Sequence, residues 1–356
     1  MFYQCPKCKK TWQYPIKKCP HCFSVLEKTK IGKIKVIGVS KVNIPTLLHP
    51  NIPYFVLVLE DEPGNKWAQK STREYKIGEE FKLNTLQNRE AIKEAVAIWR
   101  IKYDILEAIE KAIDLIGGIK INQDSKVLIL PTLIFPKHPY FSENTSPEVL
   151  DSLIKYLALK GINPANIKVA AQSFDEVPIE VSAQKSQLLN SCTDNRITPL
   201  DLAKGNFVKK EISGFAFEIS EEVFNSDLII NLPILKLDSE TGVKGATENT
   251  LKFLKKESYL SSQYLFGQQE LLERLQQVLP THLTIADGLK IQKSSGFTAF
   301  LGLILASFSP LNLDRVFAEI TMVNNLPGHL KKIKIKEIPV FGREILEVQY
   351  DFEKVT

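Results

Sequence analysis

Two stretches, Lys126-Val-Leu-Ile-Leu-Pro131 and Ser226-Asp-Leu-Ile-Ile-Asn-Leu-Pro233, decide the fold of this chain. Each is a short, nearly continuous apolar run with a polar residue before it and a proline behind it. A strand that alternates apolar with polar has one wet face; a run like these has none, and is buried on both faces. Two further runs, Ile167–Ala171 and residues 283–286, read the same way, the second ending at Asp287-Gly288. Helical patterns lie between them. Ser146-Pro147-Glu148 opens a helix through Leu159, with proline at the first helical position and Ser146 able to cap it. Residues 265–279 form another, stopped by Pro280. Strand alternating with helix predicts an α/β domain with a largely parallel sheet over residues 119–356. Its tail, 333–348, returns to strand character with a turn near Gly342.

Upstream, Ile92, Val96, Trp99, Tyr103, Leu106, Ile109 and Ile113 recur at spacings of three and four. With Asn88 as cap and Gly117-Gly118 as stop, they predict a linker helix over 87–118. Residues 31–86 read as short strands around tight turns. Ile34, Val36, Ile37 and Val39 form one, 54–59 the next, then a turn at Glu62-Pro63-Gly64-Asn65, a return at Trp67, and Ile77-Gly78 leading to Phe81 and Leu83. This pattern predicts a small OB-like β-barrel. Tyr54, Phe55 and Trp67 are stacking candidates for bases, but aromatics alternating in a barrel are more often core.

Residues 1–30 carry Cys5-x2-Cys8, ten residues, then Cys19-x2-Cys22. Each Cys-Pro-x-Cys unit forms a knuckle, and two knuckles bring four thiolates to one metal. Zinc in a closed structural site is the first expectation; a single iron, as in rubredoxin-like sites, is the alternative. His21 lies inside the second knuckle and is expected to face solvent, since four sulfurs suffice.

Composition narrows the classes. Of 356 residues 44% are hydrophobic and 24% charged, with a net charge of +5, too small to argue for nucleic acid. Basic clusters at 28–41 and 331–336 alternate with Ile and Val and read as solvated strand faces. Four of the five cysteines sit in the first 22 residues and Cys192 stands apart, which suits a reducing compartment rather than a disulfide scaffold. The start is polar, and the longest apolar run, 297–308, is too short to span a bilayer. The expectation is a cytoplasmic protein with no membrane partner.

In open parallel sheets ligands sit beyond the carboxyl ends of the strands. Thr132, Ser173, Asp175, Lys236 and Asp287 all follow predicted strands, and Thr241 to Asn249 is a polar, glycine-containing loop suited to an anion. Lys236, Lys244, Asn249, Asp287 and Ser307 are therefore the candidate ligand-binding residues, and a small anionic molecule the candidate ligand. Asp287-Gly288 reads equally as a turn, and Asp314 as a cap for a helix over 315–323. His49, His138, His282 and His329 show no metalloenzyme spacing, no P-loop or nucleophile elbow is present, and Cys192 reads as a buried inert thiol.

The ribbon, with Tyr14-Pro15 between its knuckles and strand-like stretches at Gly32-Lys33 and Ile77-Gly78, resembles the acyl-CoA-associated zinc-ribbon and OB-fold family, domain-of-unknown-function family 35. That resemblance covers about residues 1–85 and implies a thiolase-like or acyl-CoA enzyme as partner. Lys9 and Phe23 stand where that family usually has glycine. Residues 126–356 resemble domain-of-unknown-function family 362. The matching stretches are 126–131, 145–149, 226–233 with Lys236, Gly245-Ala246 with Asn249, Ile285 to Gly288, and Ser307 to Asp314. Three polar positions depart from that pattern: Thr132 for asparagine, Asp238 for histidine and Glu248 for lysine. The reading that follows is a binding or scaffold subunit with a structural zinc ribbon. The alternatives are an enzyme whose active site lies at the strand ends, or electron transfer through iron at the cysteines.

Overall fold

A computed structural model describes residues 2–12, 16–29, 32–45, 52–81, 92–175, 177–212 and 214–352. The elements in chain order are β1 (Phe2–Gln4), β2 (Thr11–Trp12), β3 (Glu27–Thr29), β4 (Ile34–Val42), β5 (Tyr54–Asp61), β6 (Lys66–Ser71), β7 (Val96–Arg100), α1 (Ile105–Leu115), β8 (Val127–Pro131), α2 (Pro147–Leu159), β9 (Ile167–Ala171), α3 (Ile179–Lys185), α4 (Leu188–Asp194), β10 (Leu200–Asp201), β11 (Phe207–Ile212), β12 (Phe215–Ser220), β13 (Leu228–Leu232), β14 (Ile234–Asp238), β15 (Gly242–Lys244), α5 (Ala246–Asn249), α6 (Lys256–Val278), β16 (Leu283–Gln292), β17 (Thr298–Ser307), α7 (Pro310–Ile320), α8 (Gly328–Lys331) and β18 (Val340–Gly342). They divide into two compact units, one of residues 1–84 with 346–350, the other of 85–345 with 351–356.

The first unit holds two antiparallel sheets, β2-β1-β3 beside the cysteines and β4-β5-β6 after them. The turn at Glu62 to Asn65 joins β5 to β6 as the sequence predicts, with Asp61 accepting from the Asn65 backbone and side chain to close it. Ile34, Val36, Phe55, Leu57, Leu59 and Trp67 pack one face, so the aromatics are core. Gly78 to Phe81 pairs with the free edge of β4 through Val36 and Ile34. The barrel expected over 31–86 is thus, among the described residues, a three-stranded sheet with one short flanking segment. The Tyr14-Pro15 and Asn88 readings lie outside the described residues.

The second unit is built on one large mixed sheet, ordered β10-β9-β8-β13-β16-β17-β7-β18, with β14 and β15 extending it from β16. From β10 to β16 neighbouring strands are parallel; β17 runs antiparallel to both β16 and β7. The apolar runs work as the sequence predicts. Val127 and Ile129 pack in one core with α1 and α2, while Leu128 and Leu130 pack in a second core with Leu271, Leu272 and Leu275 of α6. Period-two alternation into two cores is why β8 has no polar position. In α2, Val149, Leu150, Leu153, Ile154 and Leu157 are buried at helical spacing. No described helix is long and apolar enough to cross a membrane.

Four local expectations are corrected. The linker helix over 87–118 is a strand followed by a helix. Val96 to Trp99 enters the sheet as β7, and the helix begins only at Ile105, capped by Asp104, whose carboxylate accepts from Leu106 N. Spacing alone misled there, because β-branched Val96 and Ile98 suit an interior strand and Asp104 was the true start signal. The strand over 283–286 continues through Asp287 to Gln292, with a bulge between Gly288 and Lys290. Ser146 makes no side-chain cap to α2. The tail over 333–348 contains one three-residue strand, β18, ending at positive-φ Gly342, rather than continuous strand.

Candidate functional site

The four cysteines converge. Their sulfurs all lie within 4.8 Å of one another, the closest pairs being Cys5 with Cys22 at 3.2 Å and Cys8 with Cys19 at 3.5 Å. Both knuckles have the same backbone. Cys5 N donates to Lys10 O and Lys9 N to Cys5 O; Cys19 N donates to Ser24 O and Phe23 N to Cys19 O. Each turn requires a left-handed residue, supplied by Lys9 at φ 58° and Phe23 at φ 57° where glycine would be relaxed. Hydrogen bonding with Cys5, then Ser24, lowers the Cys22 thiol to about 6, whereas Cys8, despite a hydrogen bond at the Lys10 backbone, is raised to about 11 by burial and its sulfur neighbours. His21 is exposed, stacks on Trp12 and lies near Lys10, and is not among the cluster's ligand atoms.

In the second unit a cavity of about 320 Å³ opens beyond the carboxyl ends of β8, β9 and β13. Its floor is a polar net. Thr132 donates its hydroxyl to Asn249 Oδ1, and Asn249 Nδ2 donates to Leu130 O and Asn231 Oδ1. Its walls carry charge in pairs. Lys236 Nζ lies 3.1 Å from Glu143, and Lys244 Nζ 2.8 Å from Asp238. Burial lowers the Lys236 ammonium although Glu143 opposes it. Burial works against the Glu143 carboxylate, but Gln292, Lys236 and Lys137 together hold it below its ordinary value. Asp238, likewise working against burial, is lowered to about 2 by Lys244 and Thr241. Glu248 is raised by burial. Phe174 and Tyr259 stack at 4.6 Å on one side, and Lys252 completes the lining, lowered to about 8 chiefly by burial.

The cavity therefore gathers Lys236, Lys244 and Asn249 and leaves out Asp287 and Ser307. Asp287 is fully buried. Its oxygens accept from Ser146 N and Leu289 N, so it ties β16 to the start of α2, and burial pushes it up to about 6. Ser307 pairs with Thr284, which is level with Asn231 near the carboxyl end of β13, but it lies on β17 with β16 between it and β13, and it donates to Ala95 O. Lys236 itself lies within β14 rather than in a loop, and the expected anion loop folds as β15 and α5. Asp314 does not cap its own helix, whose cap is Ser309; its carboxylate accepts from Ala246 N and Thr247 N and anchors that turn.

The three departures from the family pattern, Thr132, Asp238 and Glu248, all line this cavity. Residues that the sequence did not single out as a site are Glu143, Phe174, Lys252, Tyr259 and Gln292. Two of them carried a signal: Glu143 lies in the loop after β8, and Lys252 follows Asn249 by three residues, one turn on. Cys192 is buried and its thiol is pushed up to about 11 by that burial, as an inert thiol should be.

A family model described as a domain of unknown function (DUF362) matches residues 127–319, more than half of the chain. No curated protein matches. Among solved structures, a lactate racemase apoprotein from Thermoanaerobacterium thermosaccharolyticum shares 13% identity at a TM-score of 0.42, over 70% of this chain and 61% of that one. A Thermotoga maritima protein from structural genomics shares 12% identity at 0.40, over 61% and 58%. The chain thus spans about three fifths of the length of those two structures.

Proposed function

Since the chain belongs to the family described as a domain of unknown function (DUF362), a description that states no activity, we propose a function from its own cavity: it binds a small organic molecule bearing a carboxylate or phosphate. The observation that carries this reading is the meeting of three lysines, Lys236, Lys244 and Lys252, in one cavity of about 320 Å³ at the strand ends. That size suits a small ligand, and parallel-sheet ligands bind at this edge. Two lysines are held by acids, so the anion meets pre-oriented donors rather than a bare positive patch. Apolar Ile134, Ile234 and the Phe174–Tyr259 pair give the ligand's carbon frame a surface. 4-Methylbenzoate binding followed by ligand-observed NMR tests the reading. The wild type should bind, and Lys236→Ala should weaken binding at least about tenfold, the loss of one charge-assisted hydrogen bond. Unchanged affinity in the variant would sink it.

The cysteine cluster, in the same proposal, holds one structural zinc. Four thiolates around zinc at about 2.3 Å have sulfurs about 3.8 Å apart, a spacing within the range the cluster allows. A closed four-sulfur site leaves no position for substrate, so its contribution is to hold the small sheets together. Elemental analysis of natively expressed protein checks the metal, and stoichiometric iron would favour electron transfer instead.

A further inference from the structure

The three lysines of the cavity are not chemically equivalent. Lys236 is hydrogen-bonded to Glu143 and Lys244 to Asp238, so both amines are already occupied by acids. The Lys252 ammonium has no hydrogen bond or ion pair among the described residues. Its Nζ rests 3.9 Å from the centre of the Phe174 ring, whose plane stacks on Tyr259 at 13°. It projects from the short turn Thr250–Phe253, which Asn249 anchors to β8 through Leu130 O. A fixed backbone, an aromatic wall and the lack of a hydrogen-bonded acid among the described residues leave this amine as the available nucleophile of the cavity.

We propose that Lys252 is a reactive amine that condenses with the carbonyl of a small aldehyde or ketone carrying an anionic group, forming an imine. The proposal rests on the anion-binding reading of the same cavity. The amine nitrogen attacks the carbonyl carbon and the carbon–oxygen double bond opens to a carbinolamine. The carbon–oxygen bond then breaks as the carbon–nitrogen double bond forms, and the oxygen leaves as water whose two hydrogens are those the amine gives up. No oxidant or reductant is involved. The step needs a neutral amine, and burial lowers Lys252 to about 8, although Asp175 and Glu248 oppose the shift. Glu248 lines the same cavity, and its carboxylate can take a proton from the attacking nitrogen and pass it to the departing oxygen.

The experiment uses the full chain with its metal, incubated at pH 7.5 with 4-carboxybenzaldehyde and cyanoborohydride, which reduces an imine to a stable amine. Peptide mass mapping then locates the adduct. An amine near 8 has a far larger neutral fraction at this pH than ordinary lysines, so Lys252 should be labelled at least about tenfold faster than any other lysine. Lys252→Met should remove that adduct without transferring it to Lys236 or Lys244. Labelling spread over exposed lysines with no preference for Lys252 overturns the proposal. If 4-methylbenzoate, which has no carbonyl to condense, still binds the wild type in that case, the imine alone is wrong and the anion-binding reading stands. If neither binding nor preferential labelling is seen, both fall.

Discussion

Asp287 and Lys236 both looked from sequence like strand-end groups of one rim, and the sheet sends them to different places. Leu283 and Ile285 pack into the core shared with α1 and α2, so period two points Asp287 at that same side, toward Ser146. The cavity lies by Leu251 and Phe174, which pack with the second core. Facing was therefore recoverable from alternation once the strand was known to run past Ala286. That Ser307 is held away from the cavity on β17, beyond β16, was not recoverable, because nothing local in Thr298–Ser307 says which strand it pairs with or that β17 is antiparallel. At this scale Lys252 makes a second prediction, independent of its reactivity. Its folded value is about 8 against the ordinary 10.5. Below pH 8 both folded and unfolded chains carry the charge, and the folded one bears the whole cost of burying it. Between 8 and 10.5 the folded amine has lost its proton while the unfolded one keeps it, so wild-type stability rises with pH. Lys252→Met should stabilise the fold at pH 7 by at most about 3 kcal/mol, seen as a higher melting temperature, and the advantage should shrink by pH 10. Thermal melts at the two values check it; an advantage constant with pH would contradict the shift.

Among elements, the turn between β14 and β15, which leads to Lys244 of the cavity wall, has no room for a side chain at Gly242. Gly242 has φ +79°, and a Cβ there would meet Asn325 O at 2.1 Å. Gly242→Ala should destabilise the unit by more than about 1 kcal/mol, seen as a lower denaturation midpoint, and should weaken 4-methylbenzoate binding because Lys244 sits two residues on. The meeting of the four cysteines was legible, because two Cys-x2-Cys units at that spacing bring four sulfurs together, whereas the barrel expectation rested on strand signals alone, and among the described residues β4 to β6 form a three-stranded sheet. Small metal-held elements take their folding energy from the metal. Cys19→Ser should accordingly lose the proposed zinc and open residues 1–30 to protease, while residues 92–345 still resist. Retained stoichiometric zinc in that variant would show that the cluster does not need all four sulfurs.

For the whole molecule, the α/β class was readable because the parallel strands are nearly all apolar, and Val127 to Leu130 shows this directly. What the sequence hid was how the sheet ends: its antiparallel margin recruits Val96 to Arg100, which helical spacing had claimed. The second unit carries both of its cores and the whole cavity within itself. A chain trimmed to residues 92–345 should keep a cooperative melt and bind 4-methylbenzoate like the full chain. Circular dichroism with the same NMR titration checks this, and a trimmed chain without a cooperative transition would show that the division is not one of stability.

The pairing of β7 with β17 also sets a timetable for biosynthesis. Val96 to Ile98 are wholly buried in the finished sheet, yet their partner Leu303 to Ser307 leaves the ribosome roughly 200 residues later, about 10–40 s at ordinary translation rates. Throughout that interval an apolar strand waits without its neighbour. Nascent chains of this protein should therefore engage a holding chaperone early and release it only once β17 has emerged.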